Sequence, residues 1–346
     1  MIDLALIFNR DFMRLKKNQL VTLVLMTLLV ITGSWGFLVH RTVNQLAVYE
    51  LPAEIMPFFY DHMDELVKNA PRPDTRRNQD STEATKHFID LEMYEQDGKK
   101  DMPNGWVAAV KKYSKDTLLK YGYVPYHIIY MKEKLTEAFK KGNTDSILFY
   151  ATDLGHYVGD ANVPLHTTVN YDGQLTNQKG LHSLWESMIP EIEIGNYQLY
   201  SSHKAVYLKN PEATVWAAVR HAASLVPEML SAETEVSKQF TEERKFRIQM
   251  RRGKETKSFT SEFAKAYALA LKNTINEQLL KSADLIADFW YTCWVDAGKP
   301  DAKKLLSDWS EAKQNKLEAE LKSFRENKLL TDGLLRSKQT DTRSAE

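Results

Sequence analysis

The sequence lacks several features that would commit it to common protein classes. It has one cysteine, Cys293, in 346 residues, so no intrachain disulfide can form. Cys293 follows Trp290 and Tyr291 in an apolar helical run and reads as a buried thiol. Lys and Arg together number 46, as do Asp and Glu, so net charge argues neither for nucleic acid nor for an acidic substrate. There is no internal repeat, no GxGxxG and no strand-rich alternation, which excludes solenoid, dinucleotide-binding and all-β readings. The apolar run from Leu20 to Ile31 is short for a bilayer span. It fits a secretory leader instead. Arg14, Lys16 and Lys17 precede it, and Thr32-Gly33-Ser34 offers small residues for cleavage after Ser34. Met13 reads as an alternative start, and the residue directly after the cleavage point is Trp35, not cysteine, which argues against a lipoprotein. The expectation is export to the periplasm or the exterior, with an uncleaved N-terminal anchor as the alternative.

Between Trp35 and Phe324 apolar residues recur near the helical period. The spacing predicts helices over Thr42–Val67 with a break at Pro52, and over Trp106–Leu119, Pro125–Lys140 and Ile147–Gly159, the last capped by Asn143-Thr144-Asp145. Further helices are expected over Pro211–Leu230, Thr234–Met250, Phe259–Trp294 and Ala302–Phe324. The reading is all-α, with a leader over 1–34, one helical domain over 35–325 and a polar tail over 326–346 that is expected to be disordered from Leu334.

The chemistry concentrates between Leu154 and Pro190, which holds His156, Asp160, His166, His182 and Glu186. Imidazoles with a few carboxylates are the donor set that zinc prefers. His156 and Asp160 are four apart, as are His182 and Glu186, so each pair shares one helix face. Pro164 fixes the backbone just before His166. Cleavage after Ser34 would also leave Trp35 with a free α-amine, which with its carbonyl oxygen can chelate a metal that His40 completes.

These residues, with Trp35-Gly36, Pro73-Asp74 and His87-Phe88-Ile89-Asp90, resemble the superfamily of zinc-dependent phospholipase C and the single-strand-specific zinc nucleases. The resemblance covers Trp35 to Pro190 and is strongest to secreted phospholipase C-type proteins of Bacteroidetes, through Asn170–Gln174 and Leu181–Ser187. It implies an all-helical fold holding three zinc ions. Asp74, His87, His156 and Asp160 would hold the first, with Asp80 as a competitor for the place of Asp74. The Trp35 amine and carbonyl, His40 and Asp160 would hold the second, so that Asp160 bridges. His166, His182 and Glu186 would hold the third. The implied chemistry is attack of zinc-activated water on phosphorus, with Asp74 and Asp160 as catalytic residues. Asp90 would orient a ligand imidazole or lie on the surface, and Phe88 would stack on a base or pack in the core.

The sequence departs from the nucleases in having Gln178-Lys179-Gly180 before Leu181-His182, and Glu rather than Asp at 186. Both departures tilt the expectation toward a phospholipid headgroup ester, with membrane-surface contact as a possibility and no obligate protein partner. A nuclease or 3′-nucleotidase on single-stranded nucleic acid is the first alternative. The basic stretch Arg244, Lys245, Arg247, Arg251, Arg252, Lys254, Lys257 would line a groove for it, or else form a solvated helix face. A non-catalytic, zinc-stabilised binding protein is the second alternative.

Overall fold

The computed structural model describes residues 36–94, 102–251, 254–306 and 308–343. The expected leader and Trp35 lie outside the described residues. Almost all regular structure is helical, which agrees with the all-α reading. No helix among the described residues is long and apolar enough to cross a membrane.

At the centre lies α1 (Phe37–Glu50), in which nearly every residue is buried. It is followed by the short α2 (Met63–Asn69) and α3 (Arg72–Arg76). An antiparallel pair, α4 (Val124–Lys141) and α5 (Thr144–Asp160), packs beside it. The link between them is written in the sequence. Gly142 adopts the left-handed conformation that ends α4, with φ 61°, and the Asn143 side chain accepts a hydrogen bond from the Ser146 amide at 2.8 Å to start α5. Residues 181–193 form α6 (Leu181–Ser183), a π turn over Leu184–Met188, and α7 (Ile189–Glu193). The long α8 (Pro211–Ser237) contains Pro227, and α9 (Thr274–Asp296) packs against α1, α4 and α5.

The buried apolar residues form two clusters. The larger joins α1, α4, α5 and α9 around Trp290, Phe59 and Phe139. The smaller joins Leu181, Leu184, Trp185 and Ile189 to Phe259, Phe263 and Tyr267. The polar residues of interest lie on the seam: α5 belongs to the first cluster and residues 181–193 to the second.

Several expectations need correction. The single helix expected over Phe259–Trp294 is two, Ser261–Ala270 and Thr274–Asp296, and the one expected over Ala302–Phe324 is a 3-10 turn over Ala302–Leu305 and a helix from Glu311. The helix expected over Thr234–Met250 ends at Ser237, and β1 (Phe246–Arg251) pairs antiparallel with β2 (Lys254–Phe259). Phe246, Ile248 and Met250 alternate with Arg247, Gln249 and Arg251, which is the strand period of two. Phe246 faces Phe259 across the pair with ring centroids 4.8 Å apart. The basic stretch is therefore mostly hairpin, not a helix face. The tail also differs. Leu335 and Ser337 are buried, and Arg336 pairs with Glu320, which α10 (Glu311–Arg325) holds against α1. Leu335, Ser337 and an arginine with a buried partner tie this segment down, despite its polar composition.

Candidate metal centre

Six parts of the chain deliver the donors. His40 comes from α1, Asp74 from α3, His156 and Asp160 from α5, and His182 and Glu186 from α6 and the π turn. His87 caps a 3-10 turn over Ala84–Lys86, His166 lies in another over Pro164–Thr167, and the two segments bond to each other. The Ile89 amide donates to the His166 carbonyl, and His166 Nδ1 donates to the His87 carbonyl, both at 2.9 Å. Two glycines, Gly155 and Gly159, let α1 lie close on α5. A Cβ at Gly155 would stand 2.3 Å from Asn44 Oδ1, and one at Gly159 would stand 3.2 Å from His40 Nδ1. The His40 ring stacks on His156 with centroids 3.8 Å apart as a result.

Asp160, fully buried, is the hub. Its Oδ2 lies 2.9 Å from His87 Nδ1 and 3.3 Å from His156 Nε2, and its Oδ1 lies 3.5 Å from both His40 Nε2 and His166 Nδ1. Asp74 Oδ1 closes the first group, 3.7 Å from His87 Nδ1 and 3.8 Å from His156 Nε2. Glu186 divides its oxygens. Oε1 lies 3.6 Å from His40 Nε2, while Oε2 lies 2.6 Å from His182 Nε2 and 3.6 Å from His166 Nε2. Among the described residues, four overlapping sets have donor atoms within 4.8 Å of one another: His40-Asp74-His156, His87-His156-Asp160, His166-His182-Glu186 and His40-Asp160-Glu186.

The S1/P1 nuclease family model matches residues 35–289. The chain belongs to the S1/P1 nuclease family. As a member it is a zinc-dependent hydrolase of phosphodiester bonds. No match among curated proteins is found.

The donors of this member of the S1/P1 nuclease family fit zinc. Atoms held about 2.0–2.1 Å from a tetrahedral zinc lie about 3.3 Å from each other. His87 Nδ1 and His156 Nε2 are 3.1 Å apart, and His166 Nε2 and His182 Nε2 are 3.2 Å apart. Buried polar atoms otherwise find partners, yet both ring nitrogens of His40 and Oδ1 of Asp160 have no hydrogen bond. A cation between His40 Nε2 and Asp160 Oδ1, which lie 3.5 Å apart, would satisfy those two atoms.

The outer ring nitrogens set the tautomers. His156 Nδ1 donates to the Ala70 carbonyl at 2.9 Å, which leaves Nε2 with its lone pair toward the centre. His166 Nδ1, donating to His87, leaves its Nε2 likewise free. Burial opposes the charge on Asp160, but the imidazoles of His156, His166 and His87 outweigh it and hold the carboxyl well below the usual range. Glu186 is held low in the same way, against burial, by His182, His166 and His40.

Sequence reasoning missed the layer behind His87. Glu83, fully buried, places Oε1 3.5 Å from His87 Nε2. It also accepts from the Tyr157 hydroxyl, pairs with Arg76 at 3.1 Å and with Lys86 at 2.6 Å, while Arg76 bridges on to Asp153 at 2.8 Å. The spacing of Glu83 and His87, four apart, was available as a signal. Asp90, the residue expected to hold a ligand imidazole, bonds none of these rings. It lines a cavity of about 410 Å³ with Phe88, Tyr171, Arg77, His87, His166 and His182. Burial, and then Glu92, push its carboxyl up to about 7. Asp80 turns away to accept from Thr82, so of the two loop aspartates only Asp74 faces the histidines.

Proposed function

We propose that this chain cleaves phosphodiesters of single-stranded nucleic acid, with 3′-nucleotides as smaller substrates, at a centre of three zinc ions. The observation that carries the reading is Phe88. It belongs to neither apolar cluster and lines the cavity that His87, His166 and His182 also face. An aromatic face beside a phosphodiester-cleaving centre gives a nucleic-acid base a surface to stack on. Tyr171, 53% exposed, gives the same cavity a second ring.

In this reading Asp74, His87, His156 and Asp160 hold one zinc. His40 and Asp160, with the Trp35 amine and carbonyl, hold a second, and His166, His182 and Glu186 a third. Zinc, when bound, supplies Lewis acidity toward water and toward phosphate oxygens. The chain does the rest. Asp160 spans the first two groups with its separate oxygens, and Glu186 reaches from the third group to His40. Asp74, a quarter exposed, is the carboxylate able to take a proton from the attacking water. Arg77, 3.3 Å from Asp74 at the cavity wall, faces the phosphate charge. Phe88 orients the base, and Asp90, half neutral near pH 7, can both donate and accept at the edge of that base. Export through the leader over 1–34 belongs to the same proposal, supported by Arg14, Lys16, Lys17 and Thr32-Gly33-Ser34.

Phospholipid headgroup esters are the second reading, favoured by Glu186 and by Gln178-Lys179-Gly180. The test is a side-by-side assay of zinc-loaded protein on single-stranded DNA, RNA, 3′-nucleotides and phosphatidylcholine, with zinc counted per chain. Polynucleotide cleavage at about three zinc ions is expected. Headgroup release without polynucleotide cleavage would reverse the order, and no turnover at full zinc loading would leave the binding-only reading.

A further inference from the structure

A second cavity, of about 570 Å³, borders Lys86, the residue before His87. Its volume suits a small ligand. Aromatic rings make its wall. Trp106 meets Tyr123 with centroids 5.0 Å apart and Tyr126 at 6.2 Å, Tyr123 meets His127 at 6.0 Å, and His127 stacks on Tyr130 at 5.7 Å. Two carboxylates, Glu133 and Glu212, line the same space.

The charges decide what fits. Lys86 is already committed, with Nζ 2.6 Å from Glu83 Oε2. His127 is held neutral, its pKa lowered to about 3 by burial and by Lys86. Glu133 has no cation partner among the described residues, and Glu212 accepts only from the Gly105 amide. An anionic strand or nucleotide would meet two carboxylates with no uncommitted cation among the described lining residues to offset them. A positive ligand would gain from both carboxylates and from the negative faces of the rings. The rim already shows such a contact, with the Lys134 ammonium 5.4 Å from the Tyr130 ring centre.

We propose that this cavity binds an organic ammonium ion, seated on the rings of Trp106, Tyr123, Tyr126 and Tyr130 and paired with Glu133 and Glu212. The site is separate from the metal centre but touches its outer layer. His127 packs edge-on against Tyr157 at 4.5 Å, and Tyr157 and Lys86 both bond Glu83 behind His87.

The test is calorimetric titration of the zinc-loaded full chain with choline and with 3,3-dimethylbutan-1-ol, its neutral isostere. Saturable binding of choline at one site is expected, with the isostere at least tenfold weaker. Trp106→Ala, and separately Glu133→Gln with Glu212→Gln, should each weaken choline at least tenfold while zinc content stays unchanged. A parallel titration with spermidine separates the two sources of such a cation. Tighter choline assigns a quaternary headgroup, and tighter spermidine assigns a polyamine. Equal affinity for the neutral isostere, preference for AMP, or no saturable binding of either cation would overturn the proposal.

Discussion

Residues behind the donor atoms govern this centre as much as the donors do. Glu83 is the case in point, because its carboxylate faces the outer nitrogen of His87 and binds Arg76, Lys86 and Tyr157. Glu83→Gln keeps the shape but removes the charge that holds that imidazole. Losses from such changes are commonly about 10- to 100-fold in metal affinity or activity. We expect that range for Glu83→Gln, read as zinc retained on dialysis and as turnover, and unchanged values for both would show that Glu83 is only a packing residue. Glu50, at the end of α1, makes a different point. It is 1% exposed with both oxygens unbonded, and burial, then Asp284 and Asp288, raise its carboxyl well above the ordinary range. The folded chain therefore keeps a proton that the unfolded chain releases as pH rises past the usual glutamate value. Stability falls with pH across that window, by about 1.4 kcal/mol per unit for one proton. Glu50→Gln removes the proton difference. Its melting temperature should gain on that of the parent as pH rises above the usual glutamate range, and parallel curves would count against the assignment.

Among the elements, the approach of α1 to α5 matters most. The glycines at 155 and 159 leave room for Asn44 and His40, and that closeness brings His40 onto His156. Gly155→Ala would drive a methyl to 2.3 Å from Asn44 Oδ1, whose amide nitrogen bonds the His40 carbonyl at 2.8 Å. Overpacking of this kind costs about 1–3 kcal/mol, so a lower denaturation midpoint is expected. At Gly159 the methyl would meet the His40 ring itself at 3.2 Å. Gly159→Ala should keep near-normal helicity but retain less zinc, and full zinc content with normal turnover would show that the ring has room to move.

At the scale of the whole molecule, the two ends of the described chain are joined. The family match stops at residue 289, yet α1 is clamped by residues well beyond it. The Gln45 amide donates to the Leu334 carbonyl at 2.8 Å and accepts from the Arg336 amide at 2.8 Å, and Thr42 and Ser337 share a hydrogen bond at 2.9 Å. Arg336 reaches Glu320, which also accepts from Tyr60 at 2.6 Å and from Tyr49. Removing one partner of a buried pair costs about 3–5 kcal/mol, because the other charge is left uncompensated. Arg336→Met should therefore lower stability by about that amount in urea. A change within about 0.5 kcal/mol would mean that the clamp is ornamental.

What the sequence determined by itself is what depends on near neighbours. The helical class, the Asn143 cap and the shared faces of His156 with Asp160 and of His182 with Glu186 all follow from spacings of three or four residues. A helix repeats its direction every turn, so such pairs can be read without knowing what lies across from them. The tertiary structure alone decided the rest. It set Glu83, not Asp90, behind His87, turned Phe88 into a cavity, folded Phe246–Phe259 back as a hairpin and packed Leu335 onto the core. Each of these depends on which distant segment arrives opposite. That outcome is set by burial summed over both apolar clusters, and no local spacing records it.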